Sequence, residues 1–161
     1  VMFSIGDNVV YPMHGAGKVV GVEERMFANQ PTKYLVLTML LGGMKVHVPF
    51  LSVEKVGLRP VSDKKTVTKI AKVLKDRTGS NLRSITWNRR FAIYLDKMKS
   101  GDVLELAEVI RVLSVQDHDK KLSTGEKRLL TNAREILASE ICIAKATSLD
   151  EAEVWIDKLL A

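Results

Sequence analysis

The hydrophobic period of the chain changes once. Over residues 1–60, apolar and polar positions alternate in short runs bounded by Gly, Pro and Asn, as half-buried strands do. Runs rich in β-formers predict strands over 8–12, 18–27, 33–40 and 44–49, with a short one near 54–59. Gly42-Gly43 is a hairpin signal, Ala28 to Thr32 reads as a turn and His14 to Gly17 as a loop. Gly21, inside the second run, is the position for a bulge or sharp bend. Several short antiparallel strands within about sixty residues predict a small, strongly bent sheet or SH3-like barrel.

Pro60 and the polar Ser62-Asp63-Lys64-Lys65 mark a boundary, after which the period becomes that of helices. Val67, Ile70, Ala71 and Leu74 form the first stripe, with the helix ending near Thr78-Gly79-Ser80 and a linker over 81–86. Phe91, Leu95 and Met98, with Tyr94 beside them, form the second, and Val103, Leu106, Ala107, Ile110 and Leu113 the third. Ser123 and Glu126 stand at the N-cap and N3 spacing of a capping box, and open the longest helix, with Leu129, Leu130, Ala133, Ile136, Leu137, Ile141 and Ala144 facing inward. Ser148 and Glu151 repeat that spacing before Ala152, Trp155, Ile156 and Leu159. The expected fold is α+β in two domains: a small antiparallel β domain over 1–61, then an all-helical bundle of five helices over 64–161.

Charge alters this picture because it is uneven. Residues 64–99 hold eleven Lys/Arg against two Asp/Glu, whereas residues 1–63 hold six against five and residues 100–161 eight against twelve. A local excess of +9 within a net +6 is the footprint of a polyanionic partner. No apolar run is long enough to cross a bilayer, and the start of the chain lacks a basic region followed by an apolar stretch. The single Cys142 excludes an internal disulfide and sits in an apolar helical pattern, which predicts a buried, inert thiol. A cytoplasmic location is the expectation.

Enzymatic chemistry finds no support in the residues. There is no phosphate-binding glycine loop, no paired CxxC and no H-E-x-x-H. His14, His47 and His118 lie in different elements, so neither a metal site nor a cofactor is expected, and Asp117-His118-Asp119 reads as a polar helix end. A binding protein is the expectation. The basic segment carries Trp87-Asn88-Arg89-Arg90-Phe91 at a helix start. A flat ring beside guanidinium groups suits nucleic acid, with the ring stacking or wedging at bases and the arginines holding phosphates. Arg89, Arg90, Lys97 and Lys99 are expected to ring the side of that helix opposite its apolar stripe.

The order of these parts resembles the CarD family of bacterial RNA polymerase-binding transcription regulators. The resemblance is carried by Gly6-Asp7-x-Val9-Val10-Tyr11-Pro12-x-His14-Gly15, Tyr34-Leu35-Val36-Leu37, Val46-x-Val48-Pro49, Trp87-Asn88-Arg89-Arg90-Phe91, Ser100-Gly101-Asp102 with Ala107-Glu108-Val109-Ile110-Arg111, and Leu122-Ser123-x-Gly125-Glu126-Lys127-Arg128. The N-terminal motif alone is also similar to the polymerase-binding module of transcription-repair coupling factors. The resemblance implies a Tudor-like domain that binds the polymerase β subunit through an exposed edge strand, with Arg25, Phe27 and His47 at the contact. It implies a helical domain that meets promoter DNA at the upstream edge of the transcription bubble. There Trp87 wedges into the minor groove, and Arg89, Arg90 and Lys127 hold the backbone without reading bases. The chain would act as a monomer, at the nucleoid through the polymerase and with no membrane partner. Two positions depart from the family: His47 stands where relatives often have Arg, and Ala92 where some have Lys. The residues alone leave open a free-standing nucleic-acid binder and an adaptor for an acidic protein.

Overall fold

A computed structural model describes residues 2–78 and 85–161. It has five antiparallel strands followed by five helices: β1 (Asn8–Tyr11), β2 (Gly15–Phe27), β3 (Gln30–Met39), β4 (Lys45–Pro49), β5 (Arg59–Pro60), α1 (Lys64–Lys75), α2 (Trp87–Lys99), α3 (Val103–Asp119), α4 (Thr124–Ala144) and α5 (Leu149–Leu160). The sheet order is β4-β3-β2-β1-β5. This is the α+β class expected. Most of the expected linker, residues 81–84, lies outside the described residues; α1 itself stops at Lys75.

The predicted bulge is present: pairing of β2 with β3 slips between Val19 and Gly21, so Val20 is the extra residue. The bend lets a 13-residue strand start over the core and run past it. Val9, Val19, Leu35, Leu37 and Val48 are buried beneath its first half, while Val22, Met26 and Phe27 on its far half are exposed.

Three local readings are corrected. Gly15 to Gly17 belong to β2 and not to a loop. The turn after β2 is two residues long, Ala28 and Asn29, both at positive φ (50° and 63°), the geometry that matches the twist of a hairpin. The run over 54–59 is no strand. Phe50–Ser52 is a 3-10 turn, and Val56 N–H and Gly57 N–H donate to Ser52 and Glu54 carbonyls, so these donors are satisfied locally. Only Arg59 and Pro60 pair with β1, and the proline sits on an edge where its missing N–H costs no ladder bond.

The helical core is the one the stripes predict, with Ile70, Tyr94, Ile110, Leu113, Leu137, Ile141 and Ile156 all buried. Leu130 and Ala144 are only partly buried. Cys142 is buried, and burial pushes its thiol pKa up. Ser123 and Glu126 form a complete capping box. At Ser148 the hydroxyl accepts from Glu151 N–H and meets the Glu151 carboxyl.

The sheet and the helices are bolted together through α4. Glu140 is 1 % exposed, and its two carboxylate oxygens accept from Arg59 Nη1 and Nη2, both at 2.7 Å, and from Ser62 N and Oγ. Arg59 Nε donates to the Gly101 carbonyl at 2.7 Å. One residue earlier on α4, buried Ser139 Oγ accepts from Ala16 N–H at 2.9 Å. Gly15 allows this approach: a Cβ there would lie 2.8 Å from Ser139 Oγ, and its φ is +94°.

Candidate nucleic-acid interface and sheet edge

Trp87 is the first residue of α2, and it does not project freely. Its ring lies against Phe91, one turn on, with centroids 5.0 Å apart and planes 8° from parallel. Its Nε1 donates to Ser123 Oγ at 3.1 Å, and its six-membered ring lies over Gly125 in the first turn of α4. The side chain is therefore seated between two helices with 39 % of the residue exposed. A cleft of about 480 Å³ adjoins this seat, lined by Phe91, Leu95 and Met98 on α2, Leu129 and Ile136 on α4, and Met13 and Leu41.

The two arginines part company. Arg89 is exposed and has no hydrogen-bond or ion-pair partner among the described residues. Arg90 is turned about 100° further round the helix and faces inward. Its side chain is 18 % exposed, Nη2 lies 3.8 Å from the buried Glu126 carboxylate, and Nη1 reaches the Ile85 carbonyl at 3.4 Å. The expected ring of four cations on the outer face is thus corrected. Arg90 is an internal counter-charge, and Lys97 bridges Glu105 (2.9 Å) and Glu108 (3.3 Å) on α3. Desolvation pulls the Lys97 pKa down, but these two carboxylates more than offset it and leave it raised. Lys99 is exposed, as is Lys127 on the outer side of α4, two residues past Gly125.

At the other end of the molecule the register places Arg25, Phe27 and His47 on one face of the sheet, since Arg25 opposes Thr32 and His47 opposes Val36. Arg25 and His47 meet across β3 through a residue the sequence reading missed. Glu23 Oε2 accepts from Arg25 Nη2 at 2.9 Å and lies 3.1 Å from His47 Nε2, and Arg25 Nη2 lies 3.3 Å from that same His47 nitrogen. Partial desolvation pushes the Glu23 carboxyl up, but hydrogen bonds from His47 and Arg25 and the Arg25 charge outweigh it and hold its pKa below the usual value. Period-two spacing to Arg25 was the available signal. Phe27 is 67 % exposed, next to the hairpin turn. Because β1 pairs only with Gly15 to Lys18, the outer edge of β2 over residues 20–27 carries no partner strand among the described residues.

The Trp87 seat was also missed. Ser123 was legible as a cap, but a glycine inside a helix costs roughly 0.5–1 kcal/mol against alanine and so needs its own reason. That was the available clue at Gly125.

Comparison with known proteins places both parts. Residues 69–157 match the family described as CarD, C-terminal domain, and residues 3–62 match the CarD-like/TRCF RID domain. The chain is 38% identical over 144 residues to YdeB of Bacillus subtilis (strain 168), a protein provisionally named a transcription factor, covering 89% of this chain and 93% of YdeB. Among solved structures it is similar to CdnLNt from Myxococcus xanthus (39% identity, 38% of this chain and 86% of that one, TM-score 0.33). It is also similar to the 72-residue N-terminal domain of Myxococcus xanthus CarD (29% identity, 37% and 79%, TM-score 0.32).

Proposed function

The chain belongs to the CarD family, and from that premise we propose that it is a transcription regulator that docks on the RNA polymerase β subunit and stabilises the open promoter complex. In this reading residues 1–61 form the polymerase-binding unit and residues 64–161 the DNA-binding unit. The unpaired edge of β2 adds to a sheet of the polymerase, with Arg25, Phe27 and His47 at the contact. Trp87 enters the minor groove at the upstream fork, while Arg89 and Lys127 hold the backbone. The observation that carries the reading is the seated indole, 39 % exposed beside an exposed Arg89.

Melting a promoter is an equilibrium between closed and open DNA, and a ligand shifts it only by the difference in its affinity for the two states. A ring that fits a splayed junction better than a closed duplex supplies that difference. Unstacking a step costs a few kcal/mol, and the ring offsets part of it. Phosphate contacts localise the protein without reading sequence.

The test is the lifetime of open complexes formed by polymerase on a promoter that melts poorly. The chain should lengthen it, and Arg25→Glu should raise the concentration needed for half the effect by about tenfold, or ~1.4 kcal/mol. Tight DNA binding without polymerase, with Arg25→Glu indistinguishable from wild type, would favour a free-standing binder and sink the docking assignment.

Arg89→Gln with Lys127→Gln should weaken binding to forked DNA equally on unrelated sequences. The log–log salt slope should become shallower by about 0.9 per residue removed. A loss confined to one sequence would contradict backbone-only contact, and is read by titrating binding over a salt series.

A further inference from the structure

We propose that Ser123 and Gly125, at the start of α4, are positioning residues that set the attitude of the Trp87 ring; the functional part of this inference rests on the reading of Trp87 above. An indole at the first position of a helix has several open rotamers, and fixing one of them on binding costs entropy. Here one orientation is built in before any DNA arrives.

Three contacts set it. The Phe91 ring supports one face of the indole. The Ser123 hydroxyl accepts the indole N–H at 3.1 Å and the Glu126 backbone N–H at 3.3 Å, and donates to Glu126 Oε1 at 3.0 Å. That uses its one donor and both acceptor positions, so the hydroxyl cannot turn away from the indole without losing a bond. The Glu126 carboxyl is itself fixed, 4 % exposed, by Gln116 Nε2 at 3.1 Å and by Arg90 at 3.8 Å. The seat is completed by what Gly125 lacks. A Cβ there would stand 2.9 Å from Trp87 Cζ2 and 3.4 Å from Cη2. The ring and the α4 backbone cannot both keep their places if residue 125 is anything larger.

Gly125 therefore separates positioning from stability. Alanine is the better helix former, so Gly125→Ala should leave α4 as stable or more so while it lifts the ring from its seat. A residue kept for folding alone would behave in the opposite way.

The experiment uses the full chain with Trp155→Phe, which leaves Trp87 as the only tryptophan. Gly125→Ala is expected to unfold close to the wild-type midpoint, the better helix former offsetting the ring contacts given up. It should raise acrylamide quenching of Trp87 roughly twofold, as for a ring going from 39 % exposure toward free solvent. It should also remove most of the lengthening of open-complex lifetime. Ser123→Ala should raise quenching too, with a lower midpoint because the cap is lost, and Ser123→Thr should restore both. Unchanged quenching in Gly125→Ala, or a raised midpoint with wild-type quenching and lifetime, overturns the proposal. The quenching measurement needs no polymerase. If Trp87→Ala left lifetimes untouched, the wedge reading would fall while the seat would still be decided by quenching.

Discussion

Trp87→Ala is expected to abolish the lengthening of open-complex lifetime while leaving a folded protein. One base stacked on an aromatic ring is worth about 1–3 kcal/mol, so the wild-type chain should lengthen the lifetime about 5- to 150-fold over the variant. The variant also loses the stack on Phe91, worth about 0.5–1.5 kcal/mol, and one hydrogen bond to Ser123, worth about 1 kcal/mol. A loss near 2 kcal/mol lowers the melting midpoint of a chain this size by roughly 4–8 °C. Trp87→Phe separates the two effects, since it can keep a stacked ring but has no N–H to give. Lifetime measured beside thermal unfolding decides the matter. Disappearance of the cooperative transition would make Trp87 a folding residue, and an unchanged lifetime would remove it from the DNA contact.

The largest loss of stability should come from Arg59→Ala. It strips two charge-assisted hydrogen bonds from Glu140, a carboxylate that is 1 % exposed, and leaves only Ser62 to answer the charge. Breaking a buried pair from one side costs about 3–5 kcal/mol, because a charge is left in a poor solvent. Glu140→Gln should cost less, since Arg59 remains 25 % exposed and can turn to water. Replacing both together, with Arg59→Met and Glu140→Leu, should cost less than Arg59→Ala alone. Denaturant unfolding of the four proteins gives the order directly, and Arg59→Ala within about 1 kcal/mol of wild type would mean that the clamp holds nothing.

These two predictions differ in how far the sequence could have led to them. The stripes through Ile70, Tyr94, Ile110, Leu137 and Ile156 are local and periodic, and they located the helices and their buried faces. The Ser123–Glu126 box and the bulge beside Gly21 were legible for the same reason, because each is a short-range rule. Arg59 and Glu140 are 81 residues apart, and no period connects them. A stripe counts apolar positions, so it could not mark Ser139, Glu140 and Glu126, although all three are buried. Arg90 misled for a related reason: its neighbour Arg89 looks identical in sequence, and only the 100° step between them decides which one meets Glu126. At the sheet, Arg25 and His47 were legible only through family resemblance, and their shared contact with Glu23 depends on the register across β3.

The clamp at Glu140 and the seat at Ser123 lie at opposite ends of the same helix. At about 1.5 Å per residue, the 17 steps between them span roughly 25 Å of continuous α-helix. A flexible tether of that reach would hold the indole at a local concentration on the order of millimolar, spread over every direction it could swing. A stiff strut concentrates the same molecule along one direction. On the proposed reading, a body gripped at its sheet would sample one distance from its anchor, and would select DNA by where the fork stands rather than by which bases form it.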